Sequence, residues 1–183
     1  MQRVLIVGCP GAGKSVAAKA LGDGTGLPVV HLDRHYWRPG WTRPDNQSWR
    51  RIVGDLASAE RWIIDGTYGS TLGLRLSRAD TVIHLDYPTP LCMSRVVTRT
   101  LTGWGSDRRG ELAPGCPERF DWEFLSFVAR YQRDCRALDI QRMAGFTGRF
   151  HRFTRPRELA FFLDDLRSPV PCVDSHGASA VAG

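Results

Sequence analysis

The sequence predicts an α/β fold, a parallel β-sheet covered by helices on both faces. Two observations carry this. Short apolar runs of strand length alternate along the chain with longer segments of helical periodicity, the pattern of βα units. The first run, Val4-Leu5-Ile6-Val7, is an unbroken apolar stretch typical of a strand buried on both faces, and it leads directly into a glycine turn that opens a helix.

In chain order, Arg3–Val7 is the first strand, followed by the glycine turn and a helix over about Lys14–Leu21. Pro28–Leu32 is the second strand. A long loop then reaches a helix over about Gln47–Ala59, whose Trp49, Ile52, Val53 and Leu56 share one face. Trp62–Ile64 and Thr81–Leu85 are further strands, each ending in an aspartate, Asp65 and Asp86. Pro88 opens a helix running to about Leu101, at a first position that tolerates proline. Trp104–Pro117, rich in glycine and arginine, reads as a flexible excursion. A long helix is expected over Trp122–Met143, a last strand over Arg149–Phe153 and a last helix over Pro156–Leu166. Residues 1–167 form one predicted domain, and 168–183, small and polar with two prolines, a disordered tail.

Composition bounds the function. The chain has 183 residues, 42% hydrophobic and 24% charged, values ordinary for a globular protein able to bury a sizeable core. No run approaches the roughly 18 apolar residues of a membrane span, and the first apolar run is too short for a secretory signal. The expected location is the cytoplasm. Five scattered cysteines, Cys9, Cys92, Cys116, Cys135 and Cys172, contain no C-x-x-C pair, which argues against disulfides and zinc and for reduced thiols. The net charge of +6 rests almost wholly on arginine, since Lys14 and Lys19 are the only lysines. Arginine suits bidentate contact with phosphate, but this balance alone does not separate nucleotides from polynucleotides.

The motif that directs the reading is Gly8-Cys9-Pro10-Gly11-Ala12-Gly13-Lys14-Ser15, a complete G-x-x-x-x-G-K-S between a strand and a helix. Glycines let the backbone turn its N–H groups onto phosphate oxygens, and the helix start adds partial positive charge there. Gly8, Pro10, Gly11, Ala12, Gly13, Lys14, Ser15 and Val16 are therefore the candidate binding residues for the ATP phosphates. Lys14 reaches toward the β- and γ-phosphates, and the Ser15 hydroxyl is the candidate Mg²⁺ ligand. A second carboxylate is needed near the metal. Asp65, in Ile63-Ile64-Asp65-Gly66, is preferred to Asp86, because nucleoside-monophosphate kinases carry a similar apolar run and Asp-Gly at the third strand.

Several further stretches resemble the bacterial "DNA topology modulation protein" group, P-loop proteins similar to adenylate kinase. They are Leu27–Asp33, Trp37–Trp41, Trp62–Tyr68, Leu72–Leu76, Ala79–Ile83, Gly115–Glu118 and Asp121–Leu125. With the glycine motif they span about Val4 to Leu166. The resemblance implies a three-layer P-loop NTPase fold, a five-stranded parallel sheet of order 2-3-1-4-5, a small lid at about 102–118, and a kinase-like site. It supplies no substrate. Adenylate kinases carry arginines spaced like Arg95 and Arg99, which lie at i and i+4 on one helix face; these, with lid arginines Arg108 and Arg109, are the candidates for stabilising transferred charge. Arg130 and Arg133 on the long helix are weaker candidates. Asp33, absent from adenylate kinase, resembles the carboxylate of shikimate- and gluconate-type kinases, where it orients an acceptor hydroxyl or acts as a base. Trp37 and Trp41 stack an acceptor or pack the core. His31 and His84, in predicted strands, read as satisfied core or edge histidines. Arg155, in Thr154-Arg155-Pro156-Arg157, is placed to stack on adenine.

Three functions follow as expectations. The favoured one is a Mg-ATP-dependent phosphotransferase acting on a nucleotide or small hydroxylated metabolite. The others are a nucleotide hydrolase or switch, and a DNA-binding regulator, for which no helix-turn-helix, zinc or basic-helix signature appears.

Overall fold

The computed structural model describes residues 1–106 and 114–167. Five strands form one parallel sheet: β1 (Arg3–Gly8), β2 (Val29–His31), β3 (Trp62–Asp65), β4 (Thr81–Leu85) and β5 (Arg149–Phe153), in the order β2-β3-β1-β4-β5. The expected order is the observed one. β1 lies at the centre, with Ile6 opposite Asp65 on one side and Ile83 on the other. Val4, Leu5, Ile6 and Val7 are fully buried, which explains why the run carries no polar residue.

Because side chains alternate across a strand, the sheet sorts its apolar residues into two cores. Val4, Ile6, Ile83 and Leu85 pack against α1 (Lys14–Thr25), α5 (Thr89–Thr102), α6 (Trp122–Asp134) and α8 (Pro156–Arg167). Leu5, Val7, Ile64 and Val82 pack against α3 (Asn46–Ser58), α4 (Leu72–Leu76) and the end of α7 (Arg136–Met143). Each fully buried aliphatic side chain contributes about 1.5–3 kcal/mol of transfer free energy, so the layered sheet is the main stabilising unit.

Helix ends follow their local chemistry. Asp45 caps α3 by accepting from Ser48 N at 2.9 Å, and Asp121 caps α6 through Phe124 N at 3.0 Å. α1 runs four residues beyond its expected end and stops at Gly26, whose left-handed φ of 67° lets its N–H reach Gly22 O.

Three segments differ from expectation. β2 ends at His31, and Leu32 instead begins a five-residue helix, α2 (Leu32–Tyr36), inside the region expected to be loop. The five-residue α4 also had no sequence signal, being too short to show periodicity. The long helix expected over Trp122–Met143 is two helices, because Cys135 (φ −118°) breaks the ladder. The turn there brings Asp139 to the Tyr131 hydroxyl at 2.9 Å and Arg136 to Asp86, contacts that a continuous helical pattern does not reveal. Cys9, Cys92, Cys116 and Cys135 are free thiols; Arg108, Arg109, Cys172 and the tail at 168–183 lie outside the described residues. No described helix is long and apolar enough to cross a membrane.

Candidate active site

The glycine motif forms a compact loop from the end of β1 to the start of α1. Gly8, Gly11 and Gly13 have φ of 149°, 83° and 93°, which L-residues resist. Space is as restrictive as conformation: a Cβ at Gly8 would run into the Leu85 carbonyl, and one at Gly11 into the Cys92 carbonyl. Thr67 anchors the entrance, its hydroxyl donating to Gly8 O at 2.7 Å while Gly8 N donates back to it at 3.1 Å. Cys9 acts as a buried apolar residue; its thiol titrates far above the usual range, first through a hydrogen bond with Cys92 and then through burial.

Lys14 folds back over this loop, donating to Gly8 O at 3.0 Å and Cys9 O at 3.1 Å. Lys14, Ser15 and Val16 are the first residues of α1, so their N–H groups have no partner within the helix. An ammonium held at the rim, outward-facing amides and a hydroxyl on the first turn together suit a triphosphate tail. Arg95 adds a second cation: Nη1 donates to Ala12 O at 3.1 Å, and the guanidinium lies 5.7 Å from the centre of the Tyr87 ring.

A cleft of about 1410 Å³ opens over the loop and takes in Lys14, Ser15, Asp33, Asp65, Arg95 and Arg99. Asp65 ends β3, is 4% exposed, and receives a hydrogen bond from His31 Nδ1 at 2.9 Å through Oδ1. Asp86 is used elsewhere. Arg136 and Arg152 both grip it, and it does not line the cleft. Of the two carboxylates, Asp65 is the one that shares a cavity with Ser15. Among the described residues no group of three or more His, Cys, Asp or Glu could hold a metal unaided. A magnesium ion here would therefore depend on Ser15, one carboxylate, phosphate oxygens and water, a donor set that suits a hard, strongly hydrated cation.

Asp33, also in the cleft lining, receives the Tyr68 hydroxyl at 2.7 Å. Trp37 and Trp41 also line it, their rings edge-to-face at 5.3 Å. Trp41 is tied to the far wall by Nε1 donating to Pro117 O at 3.2 Å, and the Arg119 guanidinium sits over its ring. Gly40 N donates to Gly115 O at 2.9 Å, so the 38–42 turn and the base of the expected lid are stitched together. Arg99 also points to that base, 3.0 Å from Glu118.

Two expectations are corrected. His84 is not a satisfied histidine: it is buried, and neither ring nitrogen has a hydrogen-bond partner among the described residues. Arg155 has an exposed side chain outside the cleft, where Pro156, Leu159 and Leu163 form the wall instead. Its backbone N–H, with that of Thr154, is taken by Glu158.

The sequence reading missed the loop behind the site. Arg75 is fully buried and donates to Gly66 O at 2.5 Å, Thr67 O at 2.6 Å and Tyr68 O at 3.0 Å. Burial holds its guanidinium down to about 9. The available signal was an arginine embedded in Leu72-Gly73-Leu74-Arg75-Leu76, a charge with apolar neighbours on both sides.

No family model and no curated protein matches the chain. Solved structures do. A gluconokinase from Sinorhizobium meliloti is 16% identical, with 90% of this chain and 89% of that one covered at a TM-score of 0.54. A shikimate kinase from Acinetobacter baumannii, in complex with shikimate, is 14% identical, with 91% and 90% covered at a TM-score of 0.56. The fold is that of the P-loop kinases. At such identities the likeness is one of architecture, and the chemistry has to be argued from this chain's own residues.

Proposed function

We propose that the protein is a cytoplasmic, ATP-dependent phosphotransferase that moves the γ-phosphoryl group to a small hydroxylated acceptor. The observation that carries this reading is one cleft lined both by the phosphate-binding loop and by a carboxylate, Asp33, bonded to Tyr68 and accompanied by Trp37 and Trp41. A hydrolase needs the first feature but has no use for the second. The similarity in fold to a gluconokinase and a shikimate kinase agrees with a hydroxylated acceptor, and the resemblance to the topology modulation group adds none of its own.

The geometry supports the following division of roles. The loop amides and Lys14 bind the phosphate tail. Ser15 and Asp65 would hold magnesium, which supplies positive charge against the β- and γ-phosphate oxygens. Arg95, fixed on the phosphate loop through Ala12, would offset charge on the transferred group. Asp33 takes a hydrogen bond from the acceptor hydroxyl and orients it. Arg109 and Arg108 belong to the segment that would bring further cations over the site.

The test is incubation of the pure protein with Mg-ATP and a panel of nucleosides, nucleoside monophosphates, sugar acids and other hydroxylated metabolites. ADP release stimulated by one member above the water-only baseline, with a phosphorylated product, is expected. ADP release that no acceptor stimulates would leave the hydrolase in its place.

A further inference from the structure

The loop at 66–68 touches both halves of the cleft. The Thr67 hydroxyl accepts from Gly8 N at 3.1 Å and donates to Gly8 O at 2.7 Å. The next residue, Tyr68, donates its hydroxyl to Asp33 Oδ1 at 2.7 Å. Donor end and acceptor end are thus joined through two consecutive residues, whose Cα atoms lie about 3.8 Å apart.

This short bridge is unusually well fixed. Tyr68 has φ 30° and ψ 72°, a left-handed conformation that a residue with a side chain adopts at a cost. Its ring packs against Tyr36 at 4.7 Å and Trp49 at 4.9 Å between centroids. Behind it, Arg75 spends a fully buried guanidinium on the carbonyls of Gly66, Thr67 and Tyr68. A buried cation satisfied by backbone carbonyls of a single loop is costly, and its effect is to hold that loop in one place.

Resting on the phosphotransferase reading above, we propose that Tyr68 is a positioning residue for Asp33: its hydroxyl fixes the carboxylate plane so that Oδ2 is presented to the acceptor hydroxyl. Asp33 sits on the five-residue α2, and the terminal torsion of an aspartate is broad and roughly two-fold. The hydrogen bond to Oδ1 removes that freedom. With Oδ1 occupied by a donor, Asp33 serves to orient the acceptor rather than to take up its proton early. The separation of Asp33 from the phosphate loop is then set by the 66–68 loop.

Wild type, Tyr68→Phe, Asp33→Asn and the double variant are compared with Mg-ATP, using D-gluconate and shikimate as acceptor probes, alongside a crystal structure of Tyr68→Phe. The expected result is a fall in kcat of about tenfold or more for Tyr68→Phe, with KM for ATP little changed and melting temperature near wild type. Tyr68→Phe in the Asp33→Asn background is expected to add no further loss. In the crystal structure, Asp33 is expected to leave its position or to spread over several rotamers. Retention of wild-type kcat by Tyr68→Phe, or an Asp33 carboxylate unmoved in its crystal structure, overturns the proposal. If wild type phosphorylates neither probe, the full acceptor panel above decides the phosphotransferase reading, and the position of Asp33 in the Tyr68→Phe crystal structure still decides the role of Tyr68.

Discussion

Arg136 grips Asp86 with two parallel hydrogen bonds, Nε to Oδ1 and Nη2 to Oδ2, each 2.7 Å long. Arg152 holds Oδ2 from the β5 side. One carboxylate at the end of β4 therefore ties down both α7 and β5. This explains why the second of two strand-ending aspartates has no place in the cleft.

Asp86→Asn is accordingly expected to weaken the fold rather than the chemistry. Burial alone would raise the Asp86 carboxyl, but the hydrogen bonds from Arg136 and Arg152 outweigh it and hold the group down to about 2. A depressed folded value gives stability that is fully present above the unfolded carboxylate range near pH 4 and is lost as pH falls toward 2. Both arginines are partly open to solvent, so the contribution is about 1–2 kcal/mol. Thermal melts at pH 7 should show that deficit in Asp86→Asn, and the gap to wild type should narrow near pH 2.5. An equal gap at both values would remove the ion pairs as its cause.

His84 makes a second pH-dependent prediction, in a higher window. Burial lowers its basicity below the ordinary value of 6.5; Asp86 and Asp139 act to raise it, and Arg152 and Arg136 to lower it further. The folded state thus prefers a neutral ring. Stability is full above the unfolded value and falls as pH drops below about 6.5, where the unfolded chain binds a proton that the folded one resists. His84→Phe keeps a ring of similar shape and removes two unpartnered nitrogens, worth about 1 kcal/mol or more. Its melting temperature should vary less between pH 7.5 and 5.5 than that of wild type. A variant with the wild-type slope would show that His84 carries none of it.

The same histidine marks what was legible in the sequence and what was not. Val4–Val7, the glycine motif and the strand-ending Asp65 were readable because each is a local pattern: an unbroken apolar run, a fixed spacing, a turn. The identity of His84's neighbours is not local. Val7 lies beside it in the sheet, and Asp86, Arg136, Asp139 and Arg152 meet around it from three elements, so no window of sequence showed that its nitrogens lack partners. Arg75 was missed for a related reason, since its partners are backbone carbonyls that carry no residue-type signal. The break at Cys135 was missed because apolar periodicity continues through it from α6 into α7.

Within the cleft, Asp33 and Asp65 should separate cleanly by kinetics. Both line the cleft, Asp65 bonded to His31 at the end of β3 and Asp33 bonded to Tyr68 on α2. Asp65→Asn is expected to raise the magnesium concentration needed for half-maximal rate, with acceptor KM unchanged. Asp33→Asn is expected to cut turnover by about 10² while nucleotide binding, measured by calorimetry, stays near wild type. Lys14→Ala should lose about 10² to 10³ in turnover without unfolding, since its two hydrogen bonds are to loop carbonyls rather than to the core. Identical kinetic signatures for the two aspartates would contradict their assignment to metal and acceptor.

Arg95 and Arg99 share a helix face, yet their contacts differ. Arg95 is bound to the phosphate loop itself, through Ala12 O, and stacks on Tyr87. Arg99 is turned to Glu118, a 5% exposed carboxylate in the segment stitched to the Trp41 turn. Arg95→Ala should therefore act on rate, lowering kcat by about 10², with a modest stability change from the lost cation–π contact. Arg99→Ala should act first on stability, by about 1–3 kcal/mol, because it strips a cation from a buried carboxylate. The deciding comparison is the pair Arg99→Ala and Arg99→Ala with Glu118→Gln. If Arg99 serves mainly to hold Glu118, neutralising that carboxylate recovers most of the melting temperature and most of the activity together. If the guanidinium instead reaches the transferred phosphoryl, the double variant regains its stability but stays as slow as the single one, and the role drawn from the Glu118 contact fails.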